Sequence, residues 1–155
     1  MAAEQCEWCE LSDEEKRWLL AGTEHWSVYL ADEQDYIGRC IVVANRHCGS
    51  LSELGMREWD ELKRVIDELE RCLKEALGAQ LCNWSCLMNS FYKSDAPNPH
   101  LHLHVRPRYR GGVVLNGREY TDEEYGHHYR LGKGTAIPEE DMRELFERLR
   151  AELRL

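Results

Sequence analysis

No run of apolar residues in this chain is long enough to cross a bilayer, which argues against a helical membrane anchor. Its opening stretch, MAAEQCEWCE, lacks a basic segment followed by an apolar one, so no secretory signal is expected. Positive charge is scarce: 20 Lys and Arg against 29 Asp and Glu leave a formal net charge of −9. That balance disfavours general binding to a nucleic-acid backbone, which needs a basic face. It leaves room for a small anion held in a locally positive pocket. Internal repeats, linkers and low-complexity tracts are also lacking, and 155 residues suit a single domain, 1–155, with one core. Cysteine is not lacking. There are seven, at positions 6, 9, 40, 48, 72, 82 and 86. The odd number, a spacing unlike a disulfide framework and the missing signal predict reduced thiols in a cytoplasmic protein. Most of them are expected to be small core residues.

The pattern of apolar residues sets the expected elements. SDEE, from Ser12 to Glu15, matches a capping box and predicts a short helix ending near Gly22. HWSVYL (25–30) and YIGRCIVVA (36–44) are rich in β-branched and aromatic residues and read as strands, with ADEQD as the turn between them. From Met56 to Leu77, Trp59, Leu62, Ile66, Leu69, Leu73 and Leu77 recur in steps of three and four, giving a long helix with one buried face, stopped by Gly78. LCNWSCLMN (81–89) reads as a strand and FYKSDAPNP as a loop. Asn116-Gly117 marks a hairpin, and Pro138 opens a last helix with Met142, Leu145, Phe146 and Leu149 on its inner face. The order predicts an α+β domain with a mainly antiparallel sheet, a long helix and a C-terminal helix.

One stretch carries chemistry. From His100 to Arg106 the chain alternates His, Leu, His, Leu, His, Val, Arg. Period two predicts a strand that puts His100, His102, His104 and Arg106 on one face and Leu101, Leu103 and Val105 in the core. Such a histidine row could be exposed polar residues by accident, a metal site or a catalytic device, and the first is the weakest reading. A catalytic binuclear metal centre would add carboxylates, and none lies between Asn98 and Arg110. Arg106, Arg108 and Arg110 lie there instead. Arginine suits phosphate because its planar fork can give two hydrogen bonds, although arginines also decorate solvated strand edges.

HLHLHV resembles the H-φ-H-φ-H-φ-φ signature of the histidine triad (HIT) family, departing from it at Arg106. GRCIVVANRH, from Gly38 to His47, is similar to that family's GHxLVIPKRH segment. LMN (87–89) resembles its strand before the triad, and RPRY (106–109) the IPRY of bacterial and archaeal members. The resemblance covers roughly Cys6 to Tyr109. It implies the HIT fold and a nucleotide hydrolase or nucleotidyl transferase acting at the α-phosphate of nucleoside 5′-phosphate derivatives, either phosphoramidates or dinucleoside polyphosphates. His102 would be the nucleophile, forming a nucleotidyl-histidine intermediate. The backbone carbonyl of His100 would fix its tautomer, and His104 would support the developing charge. Asn89 would hold the nucleotide's phosphate end.

Three further departures from the family pattern matter. Arg39 stands where a histidine is frequent, and it cannot act as a neutral imidazole. Ala96 and Pro97 replace the usual Gln-Ser or Gln-Thr, leaving Lys93, Ser94 or Asn98 to contact phosphate. Ala31 occupies the ribose-binding position, which Asp32 can serve only with a shift of one residue. C-x-x-C at Cys6 and Cys9 is by itself a redox motif, half a zinc site or chance. The resemblance implies a structural zinc completed by His47 and His100, and a homodimer joined through strand and helix. Two rivals remain: a zinc-containing nucleotide-binding protein with little turnover, and a hydrolase using the histidines as a catalytic metal site. The former would keep the fold without the chemistry. His127 and His128 have no role implied.

Overall fold

The computed structural model describes residues 6–134 and 136–155; the first half of the opening stretch read above for an export signal lies outside them. Among the described residues no helix is long and apolar enough to cross a membrane. The described residues form seven strands and two α-helices: β1 Leu19–Gly22, β2 Trp26–Leu30, β3 Cys40–Ala44, α1 Met56–Leu77, β4 Leu81–Ser85, β5 His102–Arg108, β6 Val113–Leu115, β7 Arg118–Tyr120 and α2 Glu139–Glu152. The first five strands make an antiparallel sheet in the order β1-β2-β3-β5-β4, and β6 and β7 form a separate hairpin.

Alternation splits this sheet into two faces. Val28 of β2, Cys40 and Val42 of β3, and Leu103 and Val105 of β5 join one core with Leu62, Val65, Leu69 and Leu73 of α1. On the other face Tyr29 pairs with Ile41, Ile41 with His104 and Val43 with His102. Ser85 pairs with His104 and Asn83 with Arg106. Cross-strand partners share a face, so β5 presents His102, His104 and Arg106 together, away from the helices.

The long helix runs as its periodicity predicts, and Gly78 closes it in the left-handed region at φ 79°. Its buried stripe is rotated toward Val65 and Cys72, which leaves Trp59 on the margin at 39% exposure. Asn116 and Gly117 both take positive φ, as the hairpin signal requires. Asp141, fully buried at the start of α2, ties that hairpin down by accepting from Asn116 Nδ2 and Arg118 Nη1 at 2.9 and 3.0 Å and from the Tyr120 hydroxyl.

The N-terminal helix does not form. The capping box is made, with Ser12 N–H donating to Glu15 at 2.8 Å and Glu15 N–H to the Ser12 hydroxyl at 3.3 Å. It closes only turns, because from Leu19 the backbone pairs with β2 instead. Two strands are shorter than expected. Residues 36–39 form a turn, with Arg39 N–H donating to the Tyr36 carbonyl at 2.9 Å, before β3 starts at Cys40. After Ser85 the chain leaves β4 and makes a 3-10 helix, Asn89–Lys93.

That turn depends on Gly38, whose φ is +88°. A Cβ there would meet Leu77 Cδ1 at 2.7 Å and Leu73 Cδ2 at 3.1 Å. Gly38→Ala is therefore expected to destabilise the fold by about 1–3 kcal/mol through strain and overlap. Chemical denaturation measures this directly, and an unchanged midpoint would contradict it.

Candidate active site

His102 and His104 stand side by side on β5, with ring centroids 4.9 Å apart. His102 is 6% exposed. Its Nδ1 lies 2.9 Å from the carbonyl oxygen of His100. A carbonyl only accepts, so the proton sits on Nδ1 and the lone pair on Nε2. Trp8 and Phe91 flank the ring, with centroids at 5.8 and 5.9 Å. Each of these aromatic residues lines a cavity. One, of about 240 Å³, lies among Trp8, Trp18, Tyr29, Asp32 and Ile41. The other, of about 530 Å³, lies among Cys6, Ser90, Phe91, Ser94 and Asn98.

His104 sits against a cluster of charges. Arg39 Nη2 lies 3.2 Å from His104 Nδ1. Asp35 joins two guanidiniums, accepting from Arg39 Nη1 at 3.4 Å and from Arg106 Nε at 2.9 Å. Burial, then the neighbouring His102, Arg39 and Arg106, pull the His104 pKa down from 6.5 to about 4, against the opposing effect of Asp35. Arg39 Nε, Arg106 Nη1 and Ser85 Oγ are buried with no hydrogen-bond partner among the described residues.

His100 starts just outside β5 and faces a different group of residues. Its Nε2 lies 2.7 Å from the Ala44 carbonyl, which leaves the Nδ1 lone pair 3.2 Å from Cys6 Sγ and 3.5 Å from Cys9 Sγ. His47 Nδ1 lies 3.5 Å from Cys9 Sγ. All four ligating atoms lie within 4.8 Å of one another. The residues fit a tetrahedral ion: zinc bonded to one sulfur and one nitrogen puts those two atoms about 3.5 Å apart. Desolvation, then the adjacent Cys6, pushes the Cys9 thiol up to about 11, a penalty that a divalent cation would reverse. Arg46, next to His47, is anchored to Glu58 at 2.6 Å and to the Glu53 carbonyl at 2.7 Å, which fixes the loop carrying that histidine. A second group, Glu24, His25 and Glu61, also comes within ligating range. There Glu61 Oε2 already accepts from Thr23 and from the His25 backbone at 2.8 and 2.6 Å and acts as a turn clamp.

The remaining predicted residues are placed as follows. Asp32 lines the smaller cavity and pairs with Arg17 at 3.0 Å. Ser94 lines the larger one, while Asn89 and Lys93 begin and end the 3-10 helix and are exposed. Arg106 shares the triad face, but it is 3% exposed and covered by the Tyr129 ring, 4.6 Å from its guanidinium carbon. The arginine row does not act as one patch. Arg108 is held by Asp122 at 2.7 Å and by Asn83 at 3.0 Å, and Arg110 lies over Tyr125. His127 donates no ring to the triad; its carbonyl accepts from Arg108 at 2.8 Å. His128 bonds the Tyr129 carbonyl at 2.6 Å. Three residues escaped the sequence reading: Asp35, Trp8 and Phe91. Nothing local marks Asp35, whose partner Arg106 is 71 residues away. Trp8 was legible only as the residue inside C-x-x-C.

No protein-family model matches the chain, and no curated protein matches it by sequence. Solved structures do. A hypothetical histidine triad nucleotide-binding protein from Sulfolobus tokodaii superposes with a TM-score of 0.67 at 17% identity, covering 95% of this chain and 91% of that one. A histidine triad protein from Sinorhizobium meliloti gives 0.66 at 22% identity, over 93% and 96%. A zinc-bound histidine triad family protein from Mycobacterium smegmatis gives 0.56 at 19% identity, over 93% and 92%. The chain therefore has the histidine triad fold, as its α+β order and HLHLHV strand implied. At these identities the likeness defines the fold, and the residues themselves must carry the chemistry.

One consequence can be measured on His104. Its folded pKa lies below the ordinary 6.5, so the folded state binds fewer protons than the unfolded chain between pH 6.5 and about 4. Its contribution to stability is thus present above that window and lost as pH falls through it. A side-chain NMR titration should give a midpoint near 4, and a midpoint near 6.5 would contradict the buried, cation-flanked setting.

Proposed function

We propose that this single-domain chain is a histidine triad enzyme, a nucleotide hydrolase or nucleotidyl transferase that attacks the α-phosphate of a nucleoside 5′-phosphate derivative. The observation that carries the reading is the His102 Nδ1 to His100 carbonyl bond of 2.9 Å. It leaves a neutral Nε2 lone pair on a residue flanked by two cavity-lining aromatics. A lone pair so fixed is a competent nucleophile near neutral pH. The likeness to a histidine triad nucleotide-binding protein supports a nucleotide as ligand.

In this reading the nucleoside enters the cavity bearing Trp8 and Tyr29, with Asp32 at hand for the ribose. Ser94, Asn89 and Lys93 lie on the segment that would meet the phosphates. His102 Nε2 forms a bond to phosphorus as the bond from phosphorus to the leaving group breaks and its electron pair departs with that group, while Nδ1 keeps its proton, donated to the His100 carbonyl. Water or another acceptor then releases the nucleotide. Arg106 serves as fixed positive charge behind His104. Cys6, Cys9, His47 and His100 would hold a structural zinc, whose role there is to tie the N-terminal loop to the sheet. Two copies pairing along the free edge of β4 and along α1, in the cytoplasm, complete the proposal.

A second reading, nucleotide binding with little turnover, is favoured by one observation: His102 is only 6% exposed, between Trp8 and Phe91. Rapid quenching with a labelled dinucleoside polyphosphate and with a nucleoside phosphoramidate separates the two. Enzyme turnover leaves a nucleotide on His102, located by mass spectrometry; binding alone leaves none.

Replacing His102 by Asn should lower turnover about 10³-fold or more, roughly 4 kcal/mol of transition-state stabilisation, with nucleotide binding largely kept. Near-normal turnover by His102→Asn, or a label on another residue, would overturn the mechanism. Protein purified without chelators should carry about one zinc per chain, as one tetrahedral Cys₂His₂ set would hold. Metal content unchanged in a Cys6→Ser, Cys9→Ser double variant would place the ion elsewhere.

A further inference from the structure

Arg39 and His104 meet in a way that restricts what His104 can do. A guanidinium has only donors, so the 3.2 Å contact from Arg39 Nη2 to His104 Nδ1 has one direction: arginine gives and the imidazole accepts. The single ring proton of His104 must then sit on Nε2. Asp35 holds Arg39 from the other side at 3.4 Å and is itself held by Arg106 at 2.9 Å. The groups facing His104 are therefore Arg39, Arg106, Asp35 and His102. Two guanidiniums share the buried Asp35 carboxylate, and the other acid within reach, Glu33 at 3.9 Å from Arg39 Nη1, is exposed to solvent, so positive charge prevails directly behind the ring. Protonating Nδ1 would require breaking the Arg39 bond and placing a cation between two others.

We infer that Arg39 is a specificity-determining residue that restricts His104 to giving a hydrogen bond, and that it thereby favours phosphoanhydride substrates over phosphoramidates. The inference rests on the nucleotidyl-histidine reading above. For an anhydride, the His102 Nε2 lone pair forms the nitrogen–phosphorus bond. The bridging phosphorus–oxygen bond breaks, and its electron pair leaves with the oxygen. The leaving phosphate is a stable anion, needs no proton, and is stabilised by the His104 Nε2–H bond while His104 keeps its proton. For a phosphoramidate, the electron pair of the broken phosphorus–nitrogen bond leaves with nitrogen, which must gain a proton to depart as an amine. His104 holds only the Nε2 proton, and giving it up would leave an imidazolate. A histidine at position 39 would lift this restriction, because its ring can accept as well as donate and so allows a doubly protonated His104.

Arg39 acts on substrate through His104 and is a positioning residue. Steady-state kinetics with diadenosine tetraphosphate and adenosine 5′-phosphoramidate, paired with ¹⁵N spectra of the His104 side chain, test the idea. The wild type is expected to turn over the anhydride with a kcat/KM about tenfold or more above that for the phosphoramidate. Its His104 should show the Nε2–H tautomer. Arg39→His should shift the ratio by about tenfold or more toward the phosphoramidate. Arg39→Lys, which keeps a cationic donor, should stay near the wild-type ratio. A wild-type preference for the phosphoramidate, a proton on His104 Nδ1, or an unchanged ratio in folded Arg39→His would each overturn the inference. If Arg39→His fails to fold, the wild-type ratio and tautomer still decide. Absence of any label on His102 with either substrate would instead refute the functional reading itself, and this inference with it.

Discussion

The pairing of β3 with β5 is the constraint on which the other arrangements rest. Its register sets Val43 against His102 and Ile41 against His104, so the two imidazoles emerge on the face opposite α1. A slip of one residue would send both histidines into the core and Leu103 and Val105 into the site. The same pairing brings Arg39, at the foot of β3, beside His104, and Ala44, at its head, beside His100. One ladder thus separates two groups along one segment: His100, facing the two cysteines and His47 just ahead of β5, and His102 with His104 on the strand itself.

Parts of this were legible locally. The steps of three and four from Met56, closed by Gly78, define α1 because helix periodicity and its left-handed stop are short-range properties. Asn116-Gly117 marks the hairpin for the same reason. The alternating strand announced His102 and His104, and C-x-x-C announced the Cys6, Cys9, His47 and His100 group once the family likeness supplied its other half. What could not be read is non-local. SDEE forms its local hydrogen bonds and still yields no helix, since β2, whose Tyr29 pairs with Leu19 ten residues upstream, competes for the backbone. The arginine row looked like one phosphate patch in sequence, yet Asp35 and Asp122 claim two of its members from distant turns.

Charge placement, more than net charge, defines the site. The chain is acidic overall, at −9, but the ground behind His104 is cationic. Asp35 is nearly buried between its two partners, with its side chain 4% exposed, where a polar group needs partners to offset its lost hydration. It holds Arg39 and Arg106 at fixed separation. Losing the carboxylate would strip the buried ion pair from Arg106 and leave Arg39 only the exposed Glu33 at 3.9 Å, a more damaging change than losing either arginine.

Trp8 is one of the two residues between Cys6 and Cys9, and its ring packs near both Tyr29 and His102. The segment that gathers the thiols is thus also a wall of the cavity shared with Tyr29 and Asp32. Whatever stiffens that loop at its cysteines also fixes an aromatic surface against His102, and whatever grips Trp8 steadies the cysteines in return. By thermodynamic reciprocity an ion at the cysteines and a ligand in that cavity would each report on the other, with neither touching the other.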